Sequence, residues 1–377
     1  KNHNEIKIMF AYWIFFLLPG IVILSPYKFK KNLDTNYWYV VFLIFIFIIG
    51  FRYNVGGDWP QYKHIYTMFS KDFDILNLRI GSDYGYEFLA WFVYQLNFKF
   101  YGLNLIISVI FTSSIFYFCY LQPNKWVALV VSYPVIILIL GMGFTRQGVA
   151  FAMLVFGIIA LIKKHHALFF LCMFISIIFH KSTIIFLPLY FLSFEKIKIS
   201  TLIIFSIFLL AALYLTYEDL YRLYESYVLA RFTNAEGGGG LVSKGVYYRV
   251  GLNFIAAIFM LLFRKELTKN IIERRIFVSF ALATILSIFL MNDFSVLSDR
   301  MNLYLSILQV FVFSRLLYVF KGEKNLKTLD ILIFFNYGLI LTVWLLFAVN
   351  SHAWIPYMNV FFKVHYNHYG ELNTDSD

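Results

Sequence analysis

Five short stretches of the chain combine residue types that could do chemistry. The first is Phe51-Arg52-Tyr53-Asn54-Val55-Gly56-Gly57-Asp58-Trp59-Pro60-Gln61-Tyr62, in which an arginine, a Gly-Gly step, an aspartate and aromatic residues make a candidate ligand loop. Asp83-Tyr84-Gly85-Tyr86-Glu87 then opens an amphipathic segment, Phe88 to Phe98. Thr145-Arg146-Gln147, His180-Lys181-Ser182 and Asp299-Arg300 with Tyr304 follow, and Arg231 and Arg249 flank a later loop. Guanidinium groups are permanently charged and fork onto phosphate-type oxygens, so Arg52, Arg146, Arg300, Arg231 and Arg249 are candidate anion contacts. A carboxylate or imidazole can take the proton of an attacking hydroxyl, which makes Asp58, Glu87, His180 and Asp299 candidate general bases. Tyr62 is a candidate to stack on a substrate ring.

Each residue also has an ordinary reading. Arg52 and Arg146 could snorkel to headgroups at the membrane surface. Asp299 and Arg300 could form a structural ion pair, and Asp58 could only cap its loop through backbone amides. A carboxylate in a first helical turn, as for Glu87, is favoured by the helix dipole alone. His180 could cap or pack, and Tyr62 could belong to an aromatic belt at the interface. Asp72-Phe73-Asp74 has the D-x-D spacing of some divalent-ion sites, but in a charged loop it reads as solvated surface.

The elements that must position these groups are set by composition. The 377 residues are 61% hydrophobic and only 14% charged, with mean hydropathy +0.72. Soluble domains run near half apolar and about a quarter charged, so this is an all-α polytopic membrane protein. Twelve apolar segments, near 9–26, 37–50, 102–121, 126–143, 147–162, 167–180, 182–194, 199–217, 246–263, 276–292, 301–320 and 329–349, are candidate transmembrane helices. The pair around Lys181 is short and could be a tight hairpin or a re-entrant element. The whole chain, 1–377, reads as one integral membrane domain with larger outward loops at about 51–101 and 218–245. Gly237 to Gly240 lack the Lys-Ser/Thr of a P-loop and read as a flexible tip. Cys119 and Cys172 lie inside apolar runs and read as packing residues.

Twelve crossings put every lysine cluster on one side, which the positive-inside rule makes cytoplasmic. That side then holds 17 Lys and Arg against 6 Asp and Glu, and the other side 15 against 15. The net charge of +11, which in a soluble chain would suggest nucleic acid, therefore belongs to the cytoplasmic loops and to anionic lipid. No nucleic-acid partner is expected. Lysine divides 13 inside to 8 outside, but arginine divides 4 to 7. The arginine excess falls on the face where the five stretches lie.

Those stretches resemble the EpsG family of Wzy-type polysaccharide polymerases. The likeness rests on FRYNVGGDWPQY at 51–62, YGYEFL at 84–89, TRQGVAF at 145–151, FHKSTIIFLPLY at 179–190 and DR-x-x-x-Y at 299–304, in that order, over roughly 10–350. The chain departs from the usual family pattern at Asn54 and Gly57. The resemblance implies a GT-C-like, metal-independent glycosyltransferase with no cofactor. Its implied substrate is an oligosaccharide on undecaprenyl pyrophosphate, at the outer face of the bacterial inner membrane, and a chain-length regulator is a candidate partner. The implied reaction moves a growing glycan from its lipid pyrophosphate to a sugar hydroxyl on a new repeat unit. Arginines are suited to the charge that grows on the leaving pyrophosphate.

Three other functions use similar parts. A flippase for the same lipid-linked sugar would place ionisable residues near the bilayer midplane, whereas here the segment centres hold almost none. A membrane acyltransferase would want a histidine with a partnered carboxylate, and His180 has none nearby in sequence. A glycan ligase would differ only in its acceptor.

Overall fold

The computed structural model describes residues 3–27, 29–71, 83–194, 196, 198–225, 243, 245–320 and 323–362. Among these every regular element is helical, and one isolated antiparallel bridge joins Arg52 to Asn359. The leading helices are α1 (His3–Leu24), α2 (Lys31–Gly50), α3 (Trp59–Phe69), α4 (Tyr84–Gln95), α5 (Lys99–Tyr120), α6 (Lys125–Ser132) and α7 (Thr145–Ile162). A π-helical stretch, Tyr133–Gly141, extends α6 toward α7. After α8 (His166–Phe179) comes a 3-10 segment, Lys181–Ser193, then α9 (Ile199–Tyr224), α10 (Val246–Leu262) and α11 (Ile271–Leu290). The last helices are α12 (Ser295–Leu305), α13 (Ile307–Phe313) and α14 (Glu323–Phe347).

Helical elements lie over all twelve apolar segments, but their lengths differ. Lys31–Gly50, Lys99–Tyr120, Thr145–Ile162 and Leu326–Phe347 are long and apolar enough to cross a bilayer. The bent pair Ser295–Leu305 and Ile307–Tyr318, kinked by 41°, makes a fifth. Six further apolar stretches of 10–17 residues lie in other helical elements; two of them belong to helices that are themselves longer, α1 with 22 residues and α9 with 26. The twelve expected segments thus fall on helical elements of unequal length, four or five of which are long and apolar enough to cross. Backbone polar groups in lipid must be paired internally, which a helix does within its own chain segment.

The helix ends collect in two opposite groups. At one, Lys125 and the Trp126 indole both engage Asp34, at 2.5 and 2.7 Å. There Arg315 also forks onto Glu273 at 2.8 and 2.9 Å while its Nε donates to Gln122. Arg275 donates to the Phe194 carbonyl at the same end, at 2.7 Å. The other group holds the candidate site residues singled out above that lie among the described residues. The expected loop at 51–101 is not loose there, because it contains α3 and α4. Trp59, Tyr62, Tyr66, Tyr86, Phe100 and Phe179 form an aromatic cluster that docks both helices on the ends of α5, α7 and α8. In the second expected loop, α9 continues to Tyr224, and Arg231 and Gly237 to Gly240 lie outside the described residues, as do Asp72 and Asp74. Cys119 and Cys172 are free and buried.

Candidate active site

Arg146 sits in the first turn of α7, where two unwound stretches bring other chain segments to it. Its Nη1 lies 2.7 Å from the Asp83 carboxylate, and its guanidinium lies over the Tyr62 ring at 5.5 Å from the centroid. Asp83 immediately precedes α4 and Tyr62 is on α3, so the two docked helices furnish both contacts. Asp58, just before α3, is hydrogen-bonded by the Tyr62 hydroxyl and feels Arg146 and Arg300. The next residue along α7, Gln147, donates to the Arg300 carbonyl at 3.2 Å and so ties α7 to α12. Tyr304, one turn after Arg300 and fully buried, approaches the Ser182 hydroxyl at 3.4 Å.

His180 occupies the break between α8 and the 3-10 segment, outside both. Its Nε2 is buried and has no hydrogen-bond partner among the described residues. Burial, then the cations Arg300, Arg146 and Lys181, push its pKa down to about 3, so the imidazole is neutral at physiological pH. Lys181 is itself buried, with its ammonium 4.6 Å from the centre of the Tyr84 ring. Burial dominates at Asp58 as well. It raises the carboxyl above its ordinary value despite Arg146, Arg300 and the Tyr62 hydrogen bond, all of which pull it down.

Two sequence-based expectations change here. Arg52 is only 1% exposed and every nitrogen of its guanidinium is engaged within the protein. Nε donates to the Met142 carbonyl at 3.1 Å, Nη1 to the Ile49 carbonyl at 2.6 Å and Nη2 to the Thr145 hydroxyl at 2.9 Å. It stacks 5.3 Å from the Trp59 ring. Burial lowers its pKa to about 10, which still leaves it cationic. Arg52 therefore holds the start of α7 in place rather than facing an anion. Tyr62, 3% exposed, lies beneath Arg146 and cannot offer a face to a sugar. Its position sets those of Arg146 and Asp58.

The remaining candidate carboxylates are Glu87 and Asp299. Glu87 is buried in the first turn of α4. Asp299 does not depend on its neighbour Arg300: its Oδ2 is paired with Arg249 of α10 and accepts from the Ser243 hydroxyl at 2.7 Å. These groups and Arg300 line a cavity of about 630 Å³ whose remaining wall includes Ile139, Phe144, Leu303 and Trp344. Arg300 thus lies between the two centres, lining the cavity and acting electrostatically on Asp58 and His180.

The loop that carries Asp58 is sewn to the far end of the chain. Tyr53 N–H donates to the Met358 carbonyl and Gly56 N–H to the Ala353 carbonyl, at 2.9 and 2.8 Å, while Val360 N–H returns to Phe51. Gly56 has φ +104°, and a Cβ there would lie 2.4 Å from the Met142 carbonyl oxygen, whereas Gly57 has open space around it. We expect Gly56→Ala to cost about 1–3 kcal/mol of stability and Gly57→Ala to cost almost nothing, as judged by thermal unfolding of the purified variants. Asp83, Gln147, Lys181, Ser182 and Ser243 are site residues that the sequence reading did not select. Asp83, Gln147 and the 181–182 pair did lie in the quoted stretches. Nothing local marks Ser243 or the 353–360 segment.

Among the described residues the chain is helical throughout, with apolar spans and an arginine–carboxylate group at its helix ends, the build of a membrane protein. The chain belongs to the EpsG family, whose family model matches residues 35–359, and EpsG proteins are Wzy-like polysaccharide polymerases. It is accordingly a polysaccharide-polymerase-type membrane protein. Neither a curated protein nor a solved structure matches it.

Proposed function

We propose that the protein extends a glycan by transferring the growing chain from undecaprenyl pyrophosphate to a sugar hydroxyl on a lipid-linked repeat unit. The observation that carries this reading is the convergence of Arg146, Arg300, Asp58 and neutral His180 at one end of the bundle, from four separate elements. In the transfer, the acceptor oxygen bonds to the anomeric carbon as the bond from that carbon to the diphosphate oxygen breaks. The electron pair leaves on the diphosphate, where Arg146 and Arg300 meet the growing charge. Asp58 takes the hydroxyl proton, and His180 accepts or donates a hydrogen bond to an acceptor hydroxyl. Tyr62, Asp83 and Arg52 position these groups.

The proposed setting is the bacterial inner membrane, with this end outward and the end carrying Lys125, Arg275 and Arg315 toward the cytoplasm. The lysine distribution supports that orientation. Arg231, outside the described residues, is proposed as an added phosphate contact, and a chain-length regulator as a partner in the same membrane.

The direct test incubates purified protein with lipid-linked repeat units and resolves the products by size. A ladder is expected. A single transfer to a different lipid acceptor would instead make the protein a ligase, and no new bond at all would leave the flippase reading. Cells lacking the protein should carry surface glycan of one repeat unit only.

The base assignment predicts a pH profile. A base works deprotonated, so activity falls as pH drops through the Asp58 pKa, which burial places above the ordinary carboxylate range. Tyr62→Phe removes a hydrogen bond to the charged form and should raise that pKa further, moving the acid limb toward neutrality. An unmoved limb in Tyr62→Phe, or an intact profile in Asp58→Asn, would exclude Asp58 as the base.

A further inference from the structure

The cavity beside the catalytic centre has an unusual charge arrangement. Its walls are largely apolar, with Trp344, Leu303 and Phe144 among them, and its rim includes the exposed Phe347 and Val349 at the end of α14. Arg249, Asp299 and Arg300 supply its polar end. The shape and chemistry suit an amphiphile with an apolar chain and an anionic head.

An open pair of arginines beside lipid would be a poor discriminator, since singly charged phosphodiester headgroups crowd every anionic membrane. Here one of the two is already occupied from within. Asp299, 7% exposed, closes on Arg249 through Oδ2, where the Ser243 hydroxyl also holds it. Its other oxygen, Oδ1, is buried and has no partner among the described residues. A buried ion pair repays desolvation only when its remaining lone pairs are satisfied. This one is not, so a better ligand can open it.

We propose that Asp299 is a specificity residue, an internal counter-ion that lets the Arg249–Arg300 cavity accept polyprenyl diphosphates while refusing phosphodiester lipids. A headgroup with one negative charge only exchanges places with the carboxylate of Asp299, and the freed carboxylate then repels it. A diphosphate carries about two to three negative charges. It reaches Arg249 and Arg300 together, gaining more than the Asp299 contact it breaks. This rests on the polymerase reading for its ligand class, and it moves Asp299 out of the set of candidate bases.

The test is lipid competition on the purified full chain in detergent, with geranylgeranyl diphosphate and phosphatidylglycerol counted by native mass spectrometry. Wild-type protein should take the diphosphate in preference. Asp299→Asn keeps the side-chain shape and removes the charge. It should bind phosphatidylglycerol at least about tenfold more tightly, so that the preference collapses. Arg249→Ala should weaken binding of both lipids. Should Asp299→Asn fail to fold, Ser243→Ala carries the test, because it only loosens the hold on Asp299 and must lower the preference in part. An unchanged preference in the folded variant, or no preference in the wild type, overturns the proposal. A glycan ladder without lipid preference would defeat this inference alone, and lipid preference without a ladder would defeat the polymerase reading alone.

Discussion

Arg146→Ala is expected to lower the rate of chain extension by about 10²–10³-fold, equivalent to about 2.7–4 kcal/mol, the usual loss when one preorganised donor to a developing oxyanion is removed. Arg146 is the guanidinium that contacts Asp83 and Tyr62 within the Asp58 cluster, and its partly exposed side chain leaves N–H groups for a ligand. Arg146→Lys should recover little, because an ammonium keeps the charge but loses the planar fork. The substitution also strands Asp83, so Arg146→Ala combined with Asp83→Asn separates the two effects. The double variant should unfold near the wild-type temperature and remain inactive. An undiminished ladder from either variant would remove Arg146 from the mechanism.

Arg52→Ala should fail in the opposite way. Each buried acceptor left without its donor costs about 1–3 kcal/mol, and this change orphans the Met142 and Ile49 carbonyls and the Thr145 hydroxyl. A stability loss of about 3 kcal/mol or more is expected, before the void left by the side chain is counted. Arg52→Lys should not rescue it, since one ammonium cannot reach three acceptors spread over two helix ends. Thermal unfolding in detergent, read alongside the ladder, checks this. A variant that unfolds like the wild type yet has lost activity would return Arg52 to the ligand-binding set. The two arginines, both at outward helix ends by sequence, are thus expected to divide into one whose loss costs activity and one whose loss costs stability.

Much of the scaffold is legible without coordinates. Hydropathy is a sum of local transfer energies, so runs such as 102–121 and 329–349 mark helices from their own composition. The motif stretches were legible too, and their residues do gather at one end of the bundle. The partners within that end were not. Asp299 adjoins Arg300 in sequence, yet its counter-ion is Arg249 on another helix, because successive residues on a helix point in different directions. Residues 59–69 read as part of a loop because α3 is short. It forms because Trp59, Tyr62 and Tyr66 bury one face of it in the aromatic cluster.

By itself, then, the sequence determined that the chain lies in a membrane as helices, which end of the bundle carries the lysines, and which motifs meet at the other. Those follow from residue-by-residue preferences for lipid, water and charged headgroups. Only the tertiary structure decided that Arg52 is spent on two backbone carbonyls and the Thr145 hydroxyl, that Arg146 is held by Asp83, and that Asp299 is paired with Arg249. Each of those outcomes depends on where a hydrogen-bond partner from a distant segment lies, to within a few tenths of an ångström. No property of the residue alone carries that information.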